Sequence, residues 1–434
     1  MRLSKVVVLA LSLCVALSAL AFANGSQEGS SAKSQPKTIN LNLWRAGTDA
    51  LEQGYWEGAI KIYERMHPNV DIHLTSIPWG NGFEAKLNTA YVGHEFPDVV
   101  SYSIASIAGH AAAGQYAPLN KYVKTWAGRT DIIPKILDLG KYNGKIYGIG
   151  FIPDPRVLVW RKDFFAQAGL NPNNPPTTWS QLASDAGKLT VRQNGITTRS
   201  GFYIRQTVDN GNAAQDWQVF ALQNGSPIIN VPENKALFDN PKGVQAAAFL
   251  TSMYRAGDST QVAGNSSIDP FSMGTAAISY EDPNAVKALI SQDPSLKGQV
   301  GFAPPTKKVR RATFAGLRLL FMGSQSKHKQ AAWDFMKFIL SKKETWRRYQ
   351  VMKVTPVLNS LKQRYIQVDP QENAAVFTGV EVGQGYPIVT YSFNFMELIS
   401  SALDEAYYGK ESPQAAFNNA NAQFKKDLPA WLNK

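Results

Sequence analysis

Near the start of the chain Ile39, Leu41 and Leu43 alternate with Asn40 and Asn42 and end at Trp44, the period-two pattern of a half-buried strand. Over 55–67 the apolar positions Trp56, Ala59, Ile60, Tyr63 and Met66 fall at helical spacing, and Pro68 stops the run. Val70, Ile72 and Leu74 alternate again, so strand, helix and strand form a βαβ unit whose two strands are expected to lie parallel. A second helix over 83–92 leads through Pro97 and Asp98 into an apolar strand over 99–102. The alternation predicts an α/β fold.

Further along, 145–150 reads as a short strand, the Pro-rich stretch 151–155 as a crossing between two lobes, and 157–160 as an apolar strand. A loop dense in Pro and Asn (171–178) precedes a helix over 180–189, and helical periodicity returns over 215–223, 242–254, 330–340 and 394–408. The later part of the chain is therefore mixed α/β too. With 434 residues and roughly 150 per domain there is room for about three units, or for two large lobes if one is discontinuous. Hydrophobic residues at 44% exclude wholesale disorder, and the 10 Trp, 17 Tyr and 21 Phe leave rings to line a binding surface.

A net charge of +12 keeps nucleic acid, anionic membrane and acidic ligands open as partners. The charge is concentrated: 307–353 carries 13 basic residues against Asp334 and Glu344. No zinc-finger spacing, aromatic-basic RNA motif or basic zipper accompanies it, so no nucleic acid is expected. Arg2 and Lys5 precede an uncharged run over 6–20, and Ala21-Phe22-Ala23 offers a small-x-small cleavage pattern. A signal peptide over 1–23, cleaved after Ala23, is expected, then a disordered leader over 24–37 and a periplasmic protein. The only cysteine, Cys14, lies inside the apolar run behind Leu13, which speaks against lipidation and leaves no thiol for disulfides or metal.

The five histidines show no i, i+4 pair, and there is no Walker loop and no Gly-x-Ser-x-Gly elbow. Gly148-Ile149-Gly150 opens like a dinucleotide fingerprint, but Pro153 holds the third glycine position. Neither cofactor nor metal is indicated.

Several stretches then follow one another in a recognisable order: residues 63–68 (YERMHP), 86–100 (KLNTAYVGHEFPDVV), 114–119 (GQYAPL), 145–150 with 161–170 (RKDFFAQAGL), 175–182 (PPTTWSQL), 274–280 (GTAAISY) and 329–340 (KQAAWDFMKFIL). The series resembles the extracellular solute-binding proteins of bacterial ABC importers, in the branch that contains maltose-binding protein. The resemblance implies an α/β, two-lobed periplasmic-binding-protein fold of type II, with a hinge between lobes and ligand in the cleft. It places 38–152 and 317–362 in an N-terminal lobe and 153–316 and 363–434 in a C-terminal lobe. Crossings are expected near 151–157, 313–318 and 363–370.

The same resemblance nominates site residues. The turn after Trp44 faces the cleft in similar proteins, with Arg45, Thr48 and Asp49 reaching cargo; a core Trp with solvated neighbours is the alternative. Tyr102 stands where the family presents an aromatic to a sugar ring, and Asp154 where an acidic residue of the first crossing contacts sugar hydroxyls. Arg156 either joins it on cargo or pairs with it. Trp217, Tyr280, Glu281 and Tyr391 fall in segments resembling the cleft face of the second lobe, and each equally suits packing. Asn284 stands where the family has a stacking Trp, which makes maltodextrin doubtful. Arg318, at the second crossing, either forks onto an acidic cargo or pairs with a protein carboxylate. Trp79, between Pro78 and Gly80, covers the cleft mouth or packs on the lobe.

These readings imply a monomeric, non-catalytic, substrate-binding component of an ABC transporter. It would capture a mono- or oligosaccharide and deliver it to the permease's transmembrane subunits. Two alternatives stay open: capture of an acidic or phosphorylated small molecule, suggested by Arg318 and the basic stretch, and a secreted glycoside hydrolase using Asp154 and Glu281. Lys342, Lys343, Arg347 and Arg348 are expected to be exposed beyond the helix of Trp333 and Phe338, steering the protein to its permease or to lipid, or merely solvated.

Overall fold

The computed structural model describes residues 38–206, 211–256, 271 and 273–432. The expected signal peptide and leader lie outside them. Two sheets, each with its own apolar core, organise the described residues. In the first, Ile39–Ala46 lies parallel to Val70–Ile77 on one side and to Val99–Ser103 on the other, as the βαβ reading requires. Val99–Ser103 pairs antiparallel with Thr313–Met322, which in turn pairs antiparallel with Gly148–Pro155 and parallel with Gly383–Gln384. In the second, the order is Val300–Ala303, Val157–Arg161, Ala276–Glu281, Ile196–Phe202, Val191–Gln193.

Helix limits follow from local chemistry. Asp49 caps Ala50–Met66, its side chain accepting from the Glu52 amide at 2.8 Å, and Trp56, Ala59, Ile60 and Tyr63 turn their shared face into the core. Thr178 caps Trp179–Leu189 in the same way. Asp369 and Pro370 start Pro370–Val382, where proline costs nothing because the first-turn amides lack intrahelical partners anyway. Among the described residues no helix is long and apolar enough to cross a membrane.

Two expectations need correction. The short strand expected over 145–150 has other bounds: Gly148–Pro155 is one continuous strand that takes in the Pro-rich stretch, bonded to Thr313–Met322 from Gly148↔Phe321 to Pro155↔Ala315, with a register shift between Arg318 and Leu319. Among the described residues it pairs with no other strand, and an edge strand tolerates Pro153 and Pro155 because one side needs no amide donor. Second, Arg348 is not exposed. Its guanidinium is buried, donating to the Ile339 carbonyl at 3.1 Å and the Tyr55 hydroxyl at 3.2 Å, so it closes the end of the helix Lys329–Ile339. Arg347 is half-buried and bridges to Glu344, while Lys342 and Lys343 are exposed.

Candidate functional site

Strands of the first sheet end at a cavity of about 310 Å³, where open α/β sheets bind ligands, outside the carboxyl ends of their strands. Tyr102, Ser103 and Ile104 come from the end of Val99–Ser103, and Trp79 and Gly80 from the turn after Val70–Ile77. Asp154, Phe314, Gly316 and Arg318 come from the paired crossing strands. Gln215, Tyr386 and Phe393 close the far side.

On the first-sheet wall, Glu52 is the buried centre. It takes an ion pair from Arg318 Nη1 and another from Arg45 Nη1 at 3.3 Å, while Trp56 Nε1 donates to it at 3.1 Å. Arg45, wholly buried, is further held by Ser76 Oγ at 2.8 Å and the Asp49 carbonyl at 3.0 Å. Burial works against the charge on Arg318, yet Glu52, with Asp154 and Asp282 beyond it, holds its pKa above the ordinary value. The Arg318 guanidinium lies 5.1 Å from the Trp79 ring, and Trp79 stacks on Tyr102 at 5.6 Å and 26°. Trp79 fits because Gly47, at φ +106°, has no side chain: a Cβ there would stand 2.9 Å from the indole nitrogen.

On the crossing wall, Arg156 Nη2 donates to Gln215 Oε1 at 2.7 Å, Gln215 Nε2 donates to the Tyr386 hydroxyl at 2.8 Å, and Asp154 Oδ2 lies 3.8 Å from Arg156 Nη1. Asp154 Oδ1 is packed on Gly316, where any Cβ would overlap it, and neither it nor Arg156 Nε has a hydrogen-bond partner among the described residues. Burial pushes the Asp154 carboxyl up to about 7, and Asp282 adds to this while Arg156 and Arg318 pull it down. Among the described residues no group of three or more His, Cys, Asp or Glu is arranged to hold a metal ion.

Of the residues nominated from sequence, Trp79, Tyr102, Asp154, Arg156 and Arg318 line this cavity. Trp44 is half-buried against the first core, and Asp49, more than half exposed, is the helix cap and a partner of Arg45. Trp217 is buried in the second core with its indole donating to the Gly243 carbonyl at 2.9 Å. Tyr280 is buried there too, 2.8 Å from Thr306 Oγ1. Glu281 accepts from Arg205 and Ser279, and Tyr391 donates to Asn234 at 2.8 Å. Sequence reasoning missed Gln215, Phe314, Tyr386 and Phe393. The signal for Tyr386 was an aromatic among Gly383, Gly385 and Pro387.

The bacterial extracellular solute-binding protein family matches residues 58–378. The chain belongs to that family. This solute-binding protein is 23% identical over 419 residues to a Brucella abortus protein named only as a binding protein, covering 95% of this chain and 96% of that one. It is 23% identical over 300 residues to the sn-glycerol-3-phosphate-binding periplasmic protein of Yersinia pseudotuberculosis, covering 64% and 66%. Its fold matches that of an ABC transporter solute-binding protein from Thermotoga lettingae, solved with α-D-tagatose bound, with a TM-score of 0.80 at 22% identity over 90% of this chain and 100% of that one. The shared fold is the two-lobed type II architecture of periplasmic binding proteins.

Proposed function

We propose that this solute-binding protein serves an ABC importer, capturing a neutral carbohydrate in the cleft and passing it to the permease as an exported, periplasmic monomer without catalysis of its own. The observation that carries the reading is the internal matching of charge beside an aromatic platform. Arg318 faces Glu52, Arg156 faces Asp154, and Trp79 lies stacked on Tyr102. A site whose guanidiniums already face carboxylates suits hydroxyls, which donate and accept, better than a phosphate that would need uncompensated positive charge. An aromatic ring beside it suits the C–H face of a sugar.

Closure involves the lobes 38–152 with 317–362 and 153–316 with 363–434, turning about the paired strands Gly148–Pro155 and Thr313–Met322. Cargo touching both lobes favours the closed state by its differential affinity. The reading of an acidic or phosphorylated cargo draws on Arg318 and on the Yersinia relative, and the pairing of Arg318 with Glu52 weighs against it. The hydrolase reading draws on Asp154 and Glu281, of which only Asp154 lines the cavity. Titration calorimetry against neutral sugars, glycerol 3-phosphate and hexose phosphates is expected to give one-to-one binding of a neutral sugar only, with compaction in small-angle scattering. Binding of the phosphates alone would overturn the proposal.

A further inference from the structure

A second cavity, of about 430 Å³, adjoins the first at the Phe393 ring, which lines both. The backbone passes from one to the other: Ser103 and Ile104 line the first, Ala105 and Ser106 the second. Its other walls bring Glu84, Asn88, His110 and Gln115 from the first sheet's helices and loops against Trp431 at the end of Pro413–Leu432. The polar groups are fixed by one another. His110 Nε2 lies 2.9 Å from Glu84 Oε2, His110 Nδ1 meets Gln115 Oε1, and Gln115 Nε2 donates to Asn88 Oδ1 at 2.9 Å. Glu84 also neighbours the hydroxyl of Tyr102, whose pKa is raised by burial and by that carboxylate, so a wall of the second cavity is continuous with the floor of the first.

We propose that this cavity is a second sugar subsite continuous with the first, so that the cargo is an oligosaccharide of at least two rings. The proposal rests on the carbohydrate reading above. A carboxylate and amides offer both acceptors and donors, which is what vicinal hydroxyls need, and Phe393 and Trp431 offer apolar faces to ring C–H groups. His110 and Gln115 are both buried, so the polar wall is ordered before cargo arrives. Volume points the same way. The first cavity alone, at 310 Å³, sits at the lower end of the roughly 300–1,000 Å³ usual for small-molecule sites, and the second more than doubles the enclosed space.

The test is calorimetric titration with two series of increasing length, glucose, maltose and maltotriose, and mannose, mannobiose and mannotriose. In the series that binds, the di- or trisaccharide is expected to bind about tenfold more tightly than its monosaccharide, or about 1.4 kcal/mol. Gly109→Leu should remove that gain and leave monosaccharide affinity within about twofold. A Cβ at Gly109 comes no nearer than 3.7 Å to the Thr390 carbonyl, so the new side chain enters the cavity without a clash at its root. Asn88→Ala, at an exposed helical position, should lower affinity several-fold for the longer sugars only, and serves if Gly109→Leu perturbs folding. Equal affinity at every length, or a gain that survives in both variants, would overturn the subsite while leaving the carbohydrate reading intact. Binding by no member of either series would overturn both.

Discussion

The two walls of the cleft differ in how far their polar groups are already satisfied. On the first-sheet wall Glu52 meets Arg45, Arg318 and Trp56, and of the described residues that line the cavity there Trp79 is the most exposed, at 46%. On the crossing wall Asp154 Oδ1 and Arg156 Nε are buried without hydrogen-bond partners among the described residues, and burial raises the Asp154 pKa. A satisfied network rigidifies, whereas an unsatisfied one holds bonding capacity that the fold does not use. The first wall is therefore a platform made by folding, and the second is where cargo has polar work to do.

The largest effect is expected from removing the centre of the satisfied wall. Glu52→Ala leaves Arg318 and Trp56 Nε1 without the carboxylate they share and Arg45 with Asp49 as its remaining ion-pair partner, and breaking a buried ion pair in this way costs about 3–5 kcal/mol. Urea unfolding of the cargo-free protein measures it; a loss under about 1 kcal/mol would mean that Glu52 does not hold the wall.

Asp154→Asn should act the other way round, on cargo more than on the fold. Charge-assisted hydrogen bonds to hydroxyls are worth about 1.5–3 kcal/mol, so affinity should fall by about tenfold to a hundredfold. Its stability signature has a definite sign. The folded carboxyl titrates near 7 and an unfolded Asp near about 3.9, so the folded state holds the proton more tightly. The resulting stabilisation is present below about pH 4 and is lost as pH rises through 7. Thermal midpoints compared between pH 4 and 8 should show the original protein losing ground to Asp154→Asn as pH rises, and parallel curves would contradict the raised pKa.

Trp79→Ala should give the smallest change. With the ring half exposed, the thermal midpoint should move by no more than about 2–4 °C, while affinity drops by about 0.5–1.5 kcal/mol for the lost stacking face. An unchanged affinity would assign Trp79 to packing alone.

Much of the framework was legible because it is written in local periodicity. The parallel unit from Ile39 to Ile77 follows from alternation, a capped helix and alternation again. The site was legible only where a residue's place along the chain decides its surroundings, as with Asp154 on a crossing strand. The pairing of Arg318 with Glu52 spans 266 positions, and no local pattern carries it, although Arg318 had a protein carboxylate among its two readings. Trp217 and Tyr280 illustrate the other difficulty. A buried indole that finds a carbonyl and a buried phenol that finds a threonine have the same sequence neighbourhoods as rings turned toward a sugar. Arg348 reads as a solvated cation because the rings its guanidinium faces, Tyr55 and Phe151, come from other elements.

The strand Thr313–Met322, described above as one side of the hinge, also sets the order in which the protein can assemble. It completes the pairing of both Val99–Ser103 and Gly148–Pro155, and among the described residues every strand of the second sheet lies in the chain between Gly148–Pro155 and Thr313–Met322. As the chain emerges from the N-terminus, the second sheet has all its described strands by Ala303, while the first still waits with Val99–Ser103 unpaired on one edge. Contacts so distant in sequence form slowly, because a long loop must be closed before any of them forms. The sheet that the chain begins first is thus finished later, and in that interval its open, apolar edge is the part of the molecule most prone to pair with another chain.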